Sequence, residues 1–131
     1  MNLILLSLRV VLVASIISIS FLATAELIPD SSSLINDKLL HFGCFIYLTM
    51  LSSFAKIVNQ DFWLYVIVLS YGILIEVAQL YLPYRSFEFL DILADFSGIL
   101  FASFFLRFVK KFSLSYWINI IKPYITLNLL I

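Results

Sequence analysis

Apolar positions along this chain fall into four long blocks separated by short polar breaks. They run from about Leu3 to Ala25, interrupted only by Arg9, from Leu39 to Ala55, from Phe62 to Leu82 and from Phe89 to Phe108. A helix needs roughly 20 mostly apolar residues to cross a bilayer, so each block predicts a span or something close to one. The breaks carry turn and charge signals. Residues 26–38 hold Pro29, Asp30, three serines and Asp37; residues 56–61 form a tight turn; Pro83 to Glu88 includes Arg85. Connections this short place neighbouring helices antiparallel. The expected fold is all-α, an integral membrane bundle of about four transmembrane helices in one domain over residues 1–111.

Residues 112–131 form a separate C-terminal tail in this scheme. Ser115, Asn119, Lys122 and Thr126 recur at helical spacing and make one polar stripe. Tyr116, Trp117 and Tyr124 belong to the residue types that favour a membrane interface. The tail is expected as an interfacial helix bent near Pro123, with a fifth span as the alternative.

Composition sharpens the membrane assignment. The chain is 63% hydrophobic and only 12% charged, with a mean hydropathy of +1.11. A soluble fold of this length cannot hide so much apolar surface, so the lipid bilayer is the expected surroundings. Basic and acidic residues cancel, which gives no reason to expect nucleic acid. The one cysteine, Cys44, has no partner for an intramolecular disulfide. Ala23-Thr24-Ala25 resembles a signal-peptidase site, but the segment before it is long enough to span, and retention of the first helix is expected. With both termini cytoplasmic, the inner side takes Arg9, Lys56, Arg107, Lys110, Lys111 and Lys122, and the outer side only Lys38 and Arg85. That is the favoured orientation under the positive-inside rule.

Ionisable residues within spans are costly, and here they gather at the outer ends of the helices. Asp37 and His41, four apart, share a face of the second helix. Gly72, Glu76 and Gln79 share one on the third. Glu88, Asp91, Asp95 and Gly98 share one on the fourth, running from acidic to small. Gly72 and Gly98 are candidates for close helix packing. The candidate binding cluster is Asp37, Lys38, His41, Glu76, Gln79, Arg85, Asp91 and Asp95. Its carboxylates, with Glu88, outnumber Lys38 and Arg85, so either a cation enters or one carboxyl holds a proton. Arg85 is the natural bidentate partner for Asp91 or Asp95. The plainer readings are that Asp37 and Asp91 cap their helices, that Lys38 snorkels to headgroups, and that Cys44 is packing filler. One histidine among carboxylates is an unusual zinc set, so neither metal nor cofactor is expected.

The order Asp37-Lys38-Leu39-Leu40-His41-Phe42, then Glu76-Val77-Ala78-Gln79, then Arg85, Asp91 and Asp95-Phe96-Ser97-Gly98 resembles the VanZ-like family of small membrane proteins. The resemblance covers about Leu3 to Phe108. It implies a four-helix protein of the bacterial cytoplasmic membrane. The family takes its name from a protein that lowers susceptibility to the glycopeptide teicoplanin, so an antibiotic-resistance role is also implied. The chain departs from the family in carrying Asp95 where asparagine is usual, and Glu88 where aspartate is frequent.

The first functional expectation is an outward-facing polar site that binds an envelope lipid, a lipid-linked glycan or a glycopeptide-type amphiphile. Two alternatives stand beside it. One is an intramembrane hydrolase or transferase in which His41, oriented by Asp37 or Glu76, is general base. The other is a small proton-coupled transporter.

Overall fold

A computed structural model describes residues 3–25 and 34–128, with side chains for residues 3–25 and 37–112. Four helices follow one another: α1 (Leu3–Thr24), α2 (Leu34–Phe54), α3 (Asp61–Gln79) and α4 (Phe89–Asn128). There is no strand among the described residues. Side-chain bonds fix their directions. Arg9, near the start of α1, reaches the carbonyls of Ala55 and Lys56 just past the end of α2. Gln79, at the end of α3, donates to Ala23 O at the end of α1. Lys110, in α4, pairs with Asp61 at the start of α3. The helices therefore run up, down, up, down, as the short breaks predict.

Three helices are long and apolar enough to cross a membrane: α1, α3, and Phe89–Phe112 of α4. α2 has 21 residues, but Asp37 and Lys38 lie in its first turns. It starts five residues before the expected Leu39, and it packs most extensively against α4. α4 does not stop near Phe108. Residues 105–122 contain neither glycine nor proline, so nothing local breaks the helix there. The helix continues through Pro123 to Asn128. At 1.5 Å per residue, α4 is about 60 Å long, twice a bilayer's hydrocarbon core. The polar stripe expected in the tail falls on side chains outside those described, as does the loop over residues 26–33.

Burial is inverted relative to a soluble protein. Glu76 and Asp95 are 0% exposed, whereas Leu74 is 66% and Phe104 73% exposed. Such an apolar exterior is stable in lipid and not in water. Toward the end opposite the polar cluster the interior is hydrocarbon, from Leu12, Leu48, Leu51, Leu64 and Val68, with Phe45 and Ile99 nearer the cluster. α1 lies outermost, with Leu12 as its one buried side chain.

The end of α2 is closed by a Schellman motif. The N–H of Ile57 donates to Ser52 O and that of Lys56 to Ser53 O, and Lys56 takes the left-handed conformation at φ 48°. Arg9 satisfies the carbonyls of Ala55 and Lys56, so the residue that interrupts the first apolar block ties α1 to the α2–α3 turn.

Two glycines set how closely the helices approach. A Cβ on Gly98 would lie 2.5 Å from Phe42 O and 3.2 Å from Ile46 N, both backbone atoms of α2. A Cβ on Gly72 would strike Asp95 Oδ2 and lie 2.8 Å from Phe45 Cζ. Gly43 meets nothing within 4 Å. Gly98→Ala and Gly72→Ala should each cost about 1–3 kcal/mol through forced separation of the helices. Gly43→Ala should be neutral or stabilising by at most about 1 kcal/mol through helix propensity. Denaturant unfolding in detergent checks this; equal effects at all three positions would refute the packing role.

Candidate functional site

The bundle brings the polar residues to one end. α2 and α4 are bridged there by a bond between His41 Nδ1 and Asp95 Oδ1 at 2.9 Å. The other ring nitrogen, Nε2, lies 3.8 Å from Glu76 Oε1 on α3, beyond hydrogen-bond length. The second Glu76 oxygen, Oε2, accepts the backbone N–H of Glu88 at 3.0 Å. Glu88 immediately precedes α4, so a side chain of α3 satisfies an amide that the helix start leaves unpaired.

About a turn further out, Lys38 Nζ donates to Glu88 Oε2 at 2.7 Å and lies 3.3 Å from Asp91 Oδ1. Arg85 Nη1 lies 3.6 Å from Asp37 Oδ2. Gln79 Nε2 donates to Ala23 O at 3.0 Å, and Tyr84 Oη to Thr24 O at 2.8 Å. Both acceptors are carbonyls of the last turn of α1, which the helix itself cannot satisfy. Glu76, Gln79, Asp91 and Asp95 are buried; Asp37, Lys38, His41 and Arg85 are partly exposed around them.

All eight sequence candidates thus stand at one end, but several pairings differ from expectation. Arg85 pairs with Asp37, not with Asp91 or Asp95, because it sits in the loop above α3, while Asp91 is engaged by Lys38 and Asp95 by His41. Asp37 is not a cap: α2 begins three residues earlier, and Asp37 lies in its first turn, at the positive end of the helix dipole. Asp91 is not one either. It lies two residues past the start of α4, buried toward Lys38, and its N–H donates to Glu88 O. Lys38 does not reach outward to headgroups but inward to two carboxylates. The group orienting His41 is Asp95, in place of the expected Asp37 or Glu76.

α1 was not legible as part of the site. A cavity of about 210 Å³ lies beside the cluster, between the C-terminal end of α1 and helices α2 and α3. Asp37, His41, Gln79 and Arg85 line its polar side; Leu22 and Ile75 are on its apolar side. An open groove of about 540 Å³ runs between α1 and α2. Ile19, Leu40 and Cys44 border both spaces.

One ligand-type atom each from Asp37, His41 and Asp91 lies within 4.8 Å of the others. Among the described residues, the buried oxygens Glu76 Oε1, Asp91 Oδ1 and Asp95 Oδ2 accept no hydrogen bond. The arrangement offers an oriented imidazole, a set of buried acids and two cations at the rim.

The family model described as VanZ/LLP1 matches residues 2–110. The match covers most of the chain and every residue of the cluster, and the chain belongs to this VanZ-like family. No curated protein and no solved structure matches it.

His41→Ala leaves buried Asp95 without its donor, and should destabilise the bundle by about 1–3 kcal/mol. Combined with Asp95→Ala, the loss should be smaller than the sum of the two single changes, since neither partner is then stranded. A double-mutant cycle on unfolding in detergent measures the coupling; additive effects would show that the bridge carries no energy.

Proposed function

We propose that this VanZ/LLP1 family member is a cell-envelope protein of the bacterial cytoplasmic membrane that binds an amphiphile. The polar head of the ligand would sit at Asp37, His41, Gln79 and Arg85, and its hydrocarbon part along α1 and α2. The observation that carries this reading is that two spaces adjoin at Ile19, Leu40 and Cys44, which line both. One is a cavity with a polar and an apolar side, and the other a groove open along the helices. A ligand pocket that is mostly apolar with a few convergent polar groups is the usual binding arrangement. An envelope lipid, a lipid-linked glycan and a glycopeptide-type amphiphile all have this shape, and capture of the last would link the protein to antibiotic susceptibility.

The orientation follows from charge. Arg9, Lys56 and Lys110 stand at the end opposite the cluster. The positive-inside rule puts that end in the cytoplasm and the cluster at the external face. In a Cys44→Ser background, an impermeant thiol reagent on intact cells should label Ser86→Cys and spare Asn59→Cys. The reverse pattern would move the ligand search to the cytoplasm.

A second reading is favoured by the His41–Asp95 bridge. A buried carboxylate that fixes one imidazole nitrogen can prepare the other as a general base for hydrolysis or transfer on an envelope lipid. A transporter is less well supported, since the cavity of about 100 Å³ in the far half of the bundle is lined mainly by apolar residues such as Leu12, Leu48, Leu64 and Val68 and by no acid or histidine.

Leu40→Trp fills the shared wall of cavity and groove. Binding of phosphatidylglycerol or of a lipoglycopeptide to the purified protein, read by native mass spectrometry, should fall about tenfold or more, some 1.4 kcal/mol. Leu100→Trp, on the exposed face of α4, should leave it unchanged. Equal retention in both variants would reject the pocket.

A further inference from the structure

Lys38 and Arg85 leave the cluster undercompensated. Asp37, Glu76, Glu88, Asp91 and Asp95 face only those two cations and one imidazole. Removing carboxylates from water is costly unless they are paired or coordinate a cation. Two of the open oxygens are directed at His41 or its neighbours. Glu76, wholly buried, points Oε1 at His41 Nε2 from 3.8 Å without a bond. Asp91, 3% exposed at its side chain, keeps an Oδ1 that accepts no hydrogen bond and has only a 3.3 Å ionic contact with Lys38.

We propose that Asp37, His41 and Asp91, with Glu76 as a fourth donor, bind one divalent transition-metal cation of the Zn²⁺ or Mn²⁺ type. His41 has the tautomer control of a metal ligand. With Asp95 ionised, the 2.9 Å bond places the ring proton on Nδ1 and leaves the Nε2 lone pair on the side of Glu76. A carboxylate behind a ligating histidine in this way fixes the ring and raises its basicity. Spacing agrees as well. Ligands at 2.0–2.1 Å in a tetrahedral shell lie about 3.4 Å apart. The Nε2–Oε1 gap is 3.8 Å, and the three-residue group closes within 4.8 Å. Glu76 lies outside that three-residue group and would complete the shell by moving toward it from its place beside Nε2.

The donor set selects among cations. The three carboxylates suit Mn²⁺ and the imidazole suits Zn²⁺, for which so oxygen-rich a set is uncommon, whereas Mg²⁺ and Ca²⁺ prefer all-oxygen shells. Neither rim cation blocks entry. Lys38 keeps its shorter bond to Glu88 when Asp91 turns to the metal, and Arg85 holds Asp37 only loosely at 3.6 Å. This site does not depend on the amphiphile reading, and it would stand if no lipid bound.

The test uses the full chain in detergent micelles, stripped with a chelator and titrated calorimetrically with Zn²⁺ over millimolar Mg²⁺. One Zn²⁺ per chain is expected. Asp95→Asn should weaken binding about 10–100-fold, as loss of an outer-shell partner does elsewhere. His41→Ala and Asp91→Asn should weaken it beyond that range. Lys38→Met should tighten it by removing the competing cation. Helicity by circular dichroism checks each variant; if the buried changes unfold the protein, Asp37→Asn, at a partly exposed position, carries the test. Absence of saturable binding by the unaltered protein would overturn the site. So would an affinity unchanged in the folded ligand variants.

Discussion

The bond between His41 and Asp95 is the constraint on which this bundle turns. Between helices in lipid there is no hydrophobic drive to associate, since the hydrocarbon outside is as apolar as the side chains inside. Close packing and polar bridges must hold the helices together. His41 and Asp95 supply such a bridge between α2 and α4, the most extensively packed pair. The bridge needs the backbones to come near, and Gly98 allows that by leaving room for Phe42 O and Ile46 N. It also needs space for the Asp95 carboxylate against α3, which Gly72 provides. One buried bond and two missing methyl groups therefore form a single device. Glu76 stands 3.8 Å from His41 and takes the amide of Glu88, and Lys38 joins Glu88 and Asp91 beside the bridge.

The same economy governs the helix ends. Three connections leave many amides and carbonyls with no partner inside their own helix. Here side chains from other parts of the chain satisfy them. Glu76 of α3 takes the amide of Glu88 before α4, Gln79 and Tyr84 take the last carbonyls of α1, and Arg9 takes those closing α2. Each such bond is long-range in sequence and joins two elements. α1, whose surface is otherwise mostly exposed, is held at both ends by them. It thereby becomes a wall of the cavity, not a loosely attached anchor.

Much of this was legible in the sequence, and the limits have a physical origin. The apolar blocks give the helices because only a helix satisfies its backbone in lipid. The spacing of Gly72, Glu76 and Gln79, and of Asp91, Asp95 and Gly98, puts each set on one face. With antiparallel order, those faces meet at one end. Which acid meets which base was not legible. Partner choice depends on the depth and rotation of each helix to within an ångström or two, and periodicity fixes neither. Arg85 could have reached three carboxylates by spacing, and its loop height selects Asp37. The caps were misplaced for a related reason. An aspartate in the first turn and one at the cap position look alike in sequence, and the start of α2 at Leu34 separates them. No residue type in α1 signals a cavity wall, because Ile19 and Leu22 look like any lipid-facing pair. α4 runs on past the expected span end near Phe108, because lysines and aromatics mark a membrane boundary and do not interrupt a helix.

Aspartate at position 95 changes what the site can do, and the family resemblance makes the point sharp, since asparagine is usual there. An asparagine can turn either its carbonyl or its amide toward His41, so it can bind the ring in either tautomer. An ionised aspartate only accepts. At 2.9 Å from Nδ1, it requires the proton to be on that nitrogen and leaves Nε2 as a lone pair when the ring is neutral. That lone pair faces Glu76, a carboxylate whose nearer oxygen accepts no hydrogen bond. Two acceptors facing each other at 3.8 Å in a buried place repel unless something positive stands between them. A proton can do so, making His41 a cation held by two acids. A metal ion does so with more charge and engages Asp37 and Asp91 as well. The amide-to-acid change adds one negative charge behind the histidine, and it favours a positively charged occupant in front of it.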